Sequence, residues 1–364
     1  MNVYLWSTEL DDVALQSTWL DAIHLGTDEV WTSGPGLLCF TANTAWSTIK
    51  LAKNGSPTVV TLETSTDWNT WTTYTFWDTI TLANIWDKVY RRNTSETDTG
   101  FSTTTSNYYK FEMTGSIAWS GDINFLLNKN STTALSSYCY YRIFYWCSWL
   151  TSAPVLSSTT LATYCYNYMF SWCTWLTNAP ALPATTLVSN CYNSMFYWCT
   201  WLTSAPVLPA TTLAERCYQT MFYWCTSLTT APTLPATTLA NYCYISMFNW
   251  CTSLTTAPAL PATTLTTNCY EGMFRWCKNL TSLPALPATT LTKSCYNTMF
   301  YDCSKIKLST TKTWEYQTAY RIPTTWTWTT ATDAVKYMFG NTWGSFHGEP
   351  TINTTYYTSN TVVS

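Results

Sequence analysis

The chain has 364 residues, of which only 10% are charged while 46% are hydrophobic and 17% are aromatic. The apolar fraction excludes a disordered polyelectrolyte, and a net charge of −3 excludes a basic nucleic-acid-binding protein. No apolar run approaches the roughly 18 residues of a membrane-spanning helix, so we expect no membrane insertion.

Residues 1–35 contain three copies of a ten-residue unit. The copies read VYLWSTEL, VALQSTWL and IHLGTDEV, which aligns Trp6 with Gly26 at a turn position. Alternating apolar residues with turn-like centres predict small β-hairpins. The unit resembles the VYLGxxxV-type leaders of phage tail and other virion proteins. The start of the chain has no basic segment followed by an apolar core, so we expect no secretory signal peptide.

Residues 36–120 are predicted to form a separate β domain. Seven candidate strands, among them STIKLAK, TVVTLETS and NYYKFEMTG, follow one another here. Turn signals such as Asn54-Gly55-Ser56-Pro57 separate some of them. This number of short strands suggests a small all-β sandwich. Residues 121–138 are expected to cap the repeats that follow.

Residues 139–308 form a repeat with a period of 26 residues, and a second Cys follows the first by eight. The first set is Cys139, Cys165, Cys191, Cys217, Cys243, Cys269 and Cys295. The second set is Cys147, Cys173, Cys199, Cys225, Cys251, Cys277 and Cys303. Because one unit cannot bury its apolar face alone, we expect seven stacked units with a continuous core. Residues 309–364 lose the repeat and are expected to form a C-terminal cap.

Each unit is predicted to contain a short helix and an extended segment. Cys243, Met247 and Cys251 lie at i, i+4 and i+8, the spacing of an apolar stripe on a helix, and a preceding Thr suits an N-cap. Pro258 and Pro261 exclude a helix from the second half. A helix and a strand every 26 residues falls within the range of leucine-rich repeats. We therefore expect an α+β repeat solenoid, leucine-rich-repeat-like, preceded by a small all-β sandwich-like domain.

The pattern CYxxMFxxCxxLxxAPxLPATTL resembles the BspA-like leucine-rich repeats. Met-Phe replaces the Ala-Phe that is usual in that family, and the unit is slightly longer than the common one. The resemblance covers residues 139–308, a little under half of the chain. It implies a surface or adhesion protein.

The sequence leaves three states open for the cysteines. In a helix the two Cys of one unit would lie about 12 Å apart along the axis, too far for a disulfide. Equivalent Cys on adjacent units would lie about 4.8 Å apart, which permits disulfides between units. Buried thiols in the core are the simpler interpretation. Zinc is disfavoured because no CxxC pair occurs and His24 and His347 lie outside the repeats, so we expect no metal and no cofactor.

Tryptophan outnumbers glycine by 22 to 11, although glycine at its usual frequency would number about 25 in a chain of this length. The excess recurs before the second Cys, at Trp146, Trp172, Trp198, Trp224, Trp250 and Trp276. A chain that leaves a helix favours Gly or Asn there, in the left-handed conformation, and the last unit has Asp302.

Two interpretations of this tryptophan stay open. Either UGA codons stand here that the source reads as glycine, or the array carries a genuine ridge of indoles. Trp68 and Trp86 also occupy turn-like places, whereas Trp31, Trp71 and Trp314 occupy strand-like contexts that suit tryptophan.

No catalytic pattern is present in the sequence. The chain has two His, and the eight charged residues between Cys139 and Cys303 form no repeated acid pair. No GxGxxG, P-loop or HExxH motif occurs. We therefore expect a protein that is not an enzyme.

Stacked repeats present extended surfaces on which aromatic and polar residues suit glycan or protein contact. The candidate binding residues are Tyr168, Asn193, Gln219, Tyr244, Tyr270 and Asn297. A merely solvated face is the alternative reading of these positions. We expect a recognition or adhesion protein that binds a cell-surface glycan or protein, on a virion or at a cell surface, as a homo-oligomer or within a virion assembly. The alternative is a structural spacer or decoration protein without a specific ligand.

Overall fold

The computed structural model describes residues 38–57, 60–67, 69–95, 98, 100–127, 135–323 and 331–364, and the backbone of four short strands nearer the N-terminus. These strands pair antiparallel in two hairpins. They are β1 (Ala14–Leu15) with β2 (Thr18–Trp19), and β3 (Ala22–Leu25) with β4 (Asp28–Thr32). Trp6, Gly26 and Trp68, for which the sequence predicts turns, lie outside the described residues.

The region from residue 38 to residue 120 contains two sheets that pack face to face. Its strands are β5 (Leu38–Ala42), β6 (Ser47–Asn54), β7 (Leu62–Ser65), β8 (Thr72–Thr73), β9 (Ile80–Leu82), β10 (Lys88–Asn93), β11 (Tyr108–Thr114) and β12 (Ile117–Ser120). One sheet contains β12-β5-β10-β7-β8 and the other β11-β6-β9. Phe40 of β5 contacts Phe111 of β11 with ring centroids 5.3 Å apart, so the two sheets pack on each other through a shared aromatic core.

The β domain covers the first unit of the repeat array. β12 pairs in parallel with β13 (Leu150–Ser152) of that unit. The Phe111 N–H donates to the Ile143 carbonyl at 2.7 Å, and the Phe111 ring stacks on Phe144 at 5.5 Å. A 3₁₀-helix, Ile123–Leu126, follows β12. The core of the β domain therefore continues directly into the core of the repeats.

The helices predicted for the repeat units are absent, so the expectation of an α+β solenoid is wrong. The residues from the first to the second Cys form successive tight turns instead. The Met247 N–H donates to the Tyr244 carbonyl three residues earlier, whereas the Phe248 N–H donates to the Met273 carbonyl of the next unit. No described residue is α-helical. The units stack as rungs of turns and extended segments, with small sheets at the two ends of the stack.

The backbone of each rung turns every four residues rather than every 3.6. Three residues per unit, spaced by four, have left-handed φ, as at Tyr242 (62°), Ser246 (51°) and Trp250 (65°). A left-handed residue ends an α-helix, and the Thr predicted as an N-cap therefore caps no helix. An apolar pattern at i, i+4 and i+8 fits a helix and a chain of four-residue turns equally well. For that reason the spacing of the Cys and Met residues did not distinguish them.

Columns of like residues form the interior of the array. A phenylalanine column runs without interruption from Phe111 to Phe339, with neighbouring ring centroids 5.3–5.7 Å apart. A tyrosine column from Tyr140 to Tyr296 stacks at 5.6–6.0 Å. Both columns are buried, as are the Met and Cys residues between them. Each added rung therefore extends one hydrophobic core.

An eighth, degenerate rung continues the array at residues 331–341. The Phe300 and Phe339 rings stack at 5.5 Å, as in the preceding rungs. Ala334 stands where the other rungs have Cys, and it lies 39 residues after Cys295 instead of 26. The longer spacing and the missing Cys conceal this rung in the sequence.

Two small sheets close the C-terminal end of the array. β14 (Ser282–Pro284) pairs in parallel with β19 (Thr361–Val363). The other sheet has the order β16-β18-β15-β17. Its strands are β15 (Lys307–Ser309), β16 (Thr318–Arg321), β17 (Trp343–Gly344) and β18 (Thr355–Thr358).

Candidate binding face of the repeat array

The left-handed turn residues form three columns along the array. The first column precedes the first Cys of each unit, the second follows that Cys by three residues, and the third follows it by seven. The third column consists of Trp146, Trp172, Trp198, Trp224, Trp250, Trp276, Asp302 and, in the eighth rung, Asn341. Most side chains in these columns are half-buried or exposed and are the candidates for ligand contact, whereas Asn190, Ser194 and Ser294 are buried.

A line of half-buried tyrosines crosses the first four rungs next to the third column, and one of them, Tyr168, belongs to the second column. This tyrosine strip consists of Tyr145, Tyr168, Tyr197 and Tyr223. The ring of Tyr168 lies edge-on at 6.5 Å from those of both Tyr145 and Tyr197. Tyr197 stacks on Tyr223 at 4.8 Å. The strip therefore forms one continuous aromatic surface across four units.

Arg142 lies at the end of the tyrosine strip nearest the β domain. Its guanidinium carbon is 4.8 Å from the ring centroid of Tyr145 and 5.2 Å from that of Tyr168. Tyr141 and Tyr108 approach the same group at 5.0 and 5.6 Å. Cation–π contacts of this kind hold the rings and the charge in a fixed arrangement. The end of the strip thus combines four phenol rings with one positive charge.

The six candidate residues from the sequence lie in different environments. Tyr244 and Tyr270 belong to the interior tyrosine column, where burial raises the pKa of both phenols well above the usual value. They are therefore inaccessible to a ligand. Asn193 is also buried, and its amide donates to the Asn190 Oδ1 at 3.1 Å. The other three are half-buried on the turn side: Tyr168, Gln219 and Asn297.

Of those six, the structure brings only Tyr168 into the tyrosine strip. Tyr145, Tyr197 and Tyr223 were missed, although each stands two residues before the second Cys of its unit. That recurrence was the available signal. The signal is weak because Ser171, Asn249 and Arg275 occupy the same position in the second, fifth and sixth units.

The tryptophans of the third column stack on one another outside the core. Six indoles follow in succession from Trp146 to Trp276, with neighbouring ring centroids 4.0–4.9 Å apart. Trp146, at the end of the stack, is 57% exposed. This stack flanks the tyrosine strip, with Trp172 at 6.4 Å from Tyr197.

The fifteen cysteines, all within the described residues, are buried thiols without disulfide bonds. From the second unit to the seventh, the second Cys donates its thiol to a phenylalanine carbonyl of the preceding rung, as from Cys225 to Phe196 at 3.1 Å. Cys147 of the first unit donates to Phe111 of the β domain. Burial raises the pKa of Cys191 and of Cys243 to about 12. Because a nucleophilic or metal-binding cysteine acts as the thiolate, these thiols serve packing and hydrogen bonding rather than chemistry.

A cleft of about 500 Å³ opens where the β domain meets the first rung. Its lining includes Asn43, Trp86, Lys88 and Ser152. Among the described residues, no three His, Cys, Asp or Glu side chains come together as metal ligands. Within the same residues, no helix has the length and apolarity needed to span a membrane.

No protein-family model matches the chain, and neither the curated proteins nor the solved structures provide a match. The resemblance to BspA-like repeats therefore depends on the residue pattern alone.

Proposed function

We propose that the chain is a non-enzymatic recognition protein that binds a cell-surface glycan or protein through the tyrosine strip. The observation that supports this most directly is the strip itself, four half-buried tyrosines on consecutive rungs with Arg142 at one end. Tyrosine combines an apolar ring with a hydroxyl group, which is why it is enriched at recognition surfaces. The stacked rungs hold these rings in place, so binding has to order few side chains.

The surroundings of the strip favour an uncharged ligand. The repeats from Cys139 to Cys303 contain eight charged residues, and the guanidinium of Arg142 already faces four aromatic rings. An anionic polymer would require a basic patch. A neutral polysaccharide or a polar protein surface fits better. The resemblance of the repeats to BspA-like surface proteins, and of the leader to virion proteins, supports a location at a cell surface or on a virion.

A glycan array probed with the full chain tests this function. We expect reproducible binding that weakens about tenfold or more in Tyr168→Ser and Tyr197→Ser, since a central interface tyrosine contributes about 2 kcal/mol. Tyr242→Ser is the matched control, because Tyr242 is half-buried in the fifth unit and contacts Arg216 instead of the strip. Circular dichroism checks that each variant is folded.

Two outcomes would contradict the proposal. An equal loss of binding in Tyr242→Ser would show that the strip has no special part in it. Binding neither to glycans nor to surface proteins of intact cells would favour the structural spacer.

A further inference from the structure

The left-handed positions of the β domain are occupied by two residue types only. Among the described residues between 38 and 127, six have φ in the left-handed region, and they are Gly55, Gly115, Gly121, Trp46, Trp77 and Trp86. An L-residue in this conformation brings its Cβ against the following carbonyl, a clash that glycine avoids and that Asn and Asp tolerate best. Neither Asn nor Asp occupies one of these six positions. No steric preference explains why tryptophan occupies three of these left-handed positions.

The third left-handed column of the array shows the same association. Six rungs have tryptophan there, with φ between 62° and 68°. The last two rungs have Asp302 and Asn341, the residue types that adopt this conformation most readily after glycine. In the second column, by contrast, the occupant varies from rung to rung and includes Gly272. A left-handed position that holds only Trp, Asp or Asn has the conformational requirement of a glycine position.

The side chains of these tryptophans lie outside the core. Trp46, Trp77 and Trp86 are 73%, 52% and 68% exposed. Trp119 differs, because it is buried with its ring 4.8 Å from Phe111. Trp71 also makes a specific contact, beneath the guanidinium of Arg92 at 4.0 Å. Backbone conformation therefore separates the left-handed tryptophans from Trp71 and Trp119, neither of which has a left-handed φ.

We propose that the left-handed tryptophan positions are glycine in the protein as its source synthesises it, encoded by UGA codons that the source reads as glycine. These positions are Trp46, Trp77, Trp86, Trp146, Trp172, Trp198, Trp224, Trp250 and Trp276. UGA differs from the glycine codon GGA by one base. With glycine at these nine positions, the 22 Trp and 11 Gly of the chain become 13 Trp and 20 Gly, which brings glycine close to its usual frequency. At these positions glycine also removes the steric conflict between residue type and backbone.

Glycine in the third column changes the candidate binding face. The indole stack disappears from beside the tyrosine strip, where Trp146 and Trp172 lie 6.2 and 6.4 Å from Tyr145 and Tyr197. A ligand then reaches the main chain next to the strip, because glycine presents no side chain. The tyrosines then become the aromatic surface next to the third column, while Trp149, Trp175 and Trp201 keep an exposed stack of their own on the first three rungs. This consequence adds to the proposed function, but the residue assignment does not depend on it.

Peptide mass spectrometry of the protein purified from its source, together with the codons of its gene, tests the assignment. We expect the mass of glycine and a UGA codon at Trp198, Trp224 and Trp250, and the mass of tryptophan and a UGG codon at Trp71 and Trp119. Tryptophan in the three rung peptides would overturn the proposal and establish a real indole ridge. Glycine at Trp119 would overturn it as well, since backbone conformation would then not separate the two groups. Neither measurement involves ligand binding, so the assignment and the proposed function can fail independently.

Discussion

Replacing Trp46 by glycine is expected to stabilise the protein. Trp46 has a left-handed φ of 59°. Because its side chain is 73% exposed, removing it loses little buried apolar surface. The left-handed conformation costs an L-residue about 1–2 kcal/mol, which glycine avoids. Glycine also has more conformational freedom in the unfolded chain, which lowers the free energy of unfolding by about 0.5–1 kcal/mol. The free energy of unfolding is therefore expected to rise by about 0.5–1 kcal/mol relative to the chain with tryptophan.

Urea denaturation followed by circular dichroism measures this change against two other variants. Trp46→Ala retains a Cβ and therefore the steric conflict, so its midpoint is expected to stay near that of the parent chain. Trp119→Gly leaves a cavity at a buried site and is expected to lower the free energy of unfolding by about 3–5 kcal/mol. A midpoint of Trp46→Gly at or below that of Trp46→Ala would refute the argument that the backbone dictates the residue here.

Three further predictions concern the interior of the array. Cys225→Ala is expected to lower the free energy of unfolding by about 1–2 kcal/mol in urea, because the Phe196 carbonyl loses its thiol partner. Phe248→Ala is expected to cost about 3–5 kcal/mol in the same assay, because it opens a gap in the phenylalanine column. The thermal midpoint is expected to fall as the pH rises from about 9 to about 12, because burial raises the pKa of Cys191 to about 12.

The sign of the pH effect follows from the protonated form of the buried thiol. A raised pKa in the folded state contributes stability below the unfolded-state pKa, and that stability is lost as the pH rises through the folded-state pKa. A midpoint that stays constant up to pH of about 12 would contradict the burial of the thiols. For the substitutions, Thr226→Ala is the control, since its hydroxyl bonds the Thr200 carbonyl in a half-buried place. A loss in Cys225→Ala no larger than in Thr226→Ala would contradict the role given to the thiol.

The sequence contains the period of the array but not the conformation of its rungs. Hydrogen-bonded partners on adjacent units, such as Tyr244 and Cys269, are 25 residues apart, close to the 26-residue period visible in the cysteines. The inward positions are apolar because they are buried whichever local conformation the backbone adopts. The turn conformation depends instead on left-handed residues. Most positions in the first two columns hold Tyr, Arg, Ser or Thr, which do not signal such a backbone, and the exceptions Asn190, Asn268, Gly272 and Asp333 form no repeating pattern.

The candidate binding face was even less accessible to sequence reasoning. Tyr244 and Tyr168 both lie close after the first Cys of a unit, yet one is buried and the other is half-buried. On a helix these two positions would lie about 200° apart around the axis, on opposite sides of the stripe of Cys and Met. On a rung of turns the residue directly after the first Cys is buried with it, whereas the residue two places later is a left-handed turn residue. The spacing of the Cys and Met residues alone does not indicate which of the two sides is buried.

The absent helix and the excess of tryptophan have a common origin if the third column is glycine. A left-handed residue every four positions directs alternate N–H groups along the array, so that Phe248 and Trp250 donate to the next unit rather than to their own. Glycine lowers the cost of that backbone and disfavours the competing helix by about 1 kcal/mol per residue. With glycine at Trp250 and its equivalents, each unit would carry a helix-breaking residue directly before its second Cys. Glycine there would end a helix at that residue, whereas the left-handed φ of Tyr242 and Ser246 earlier in the rung does not follow from the apolar spacing.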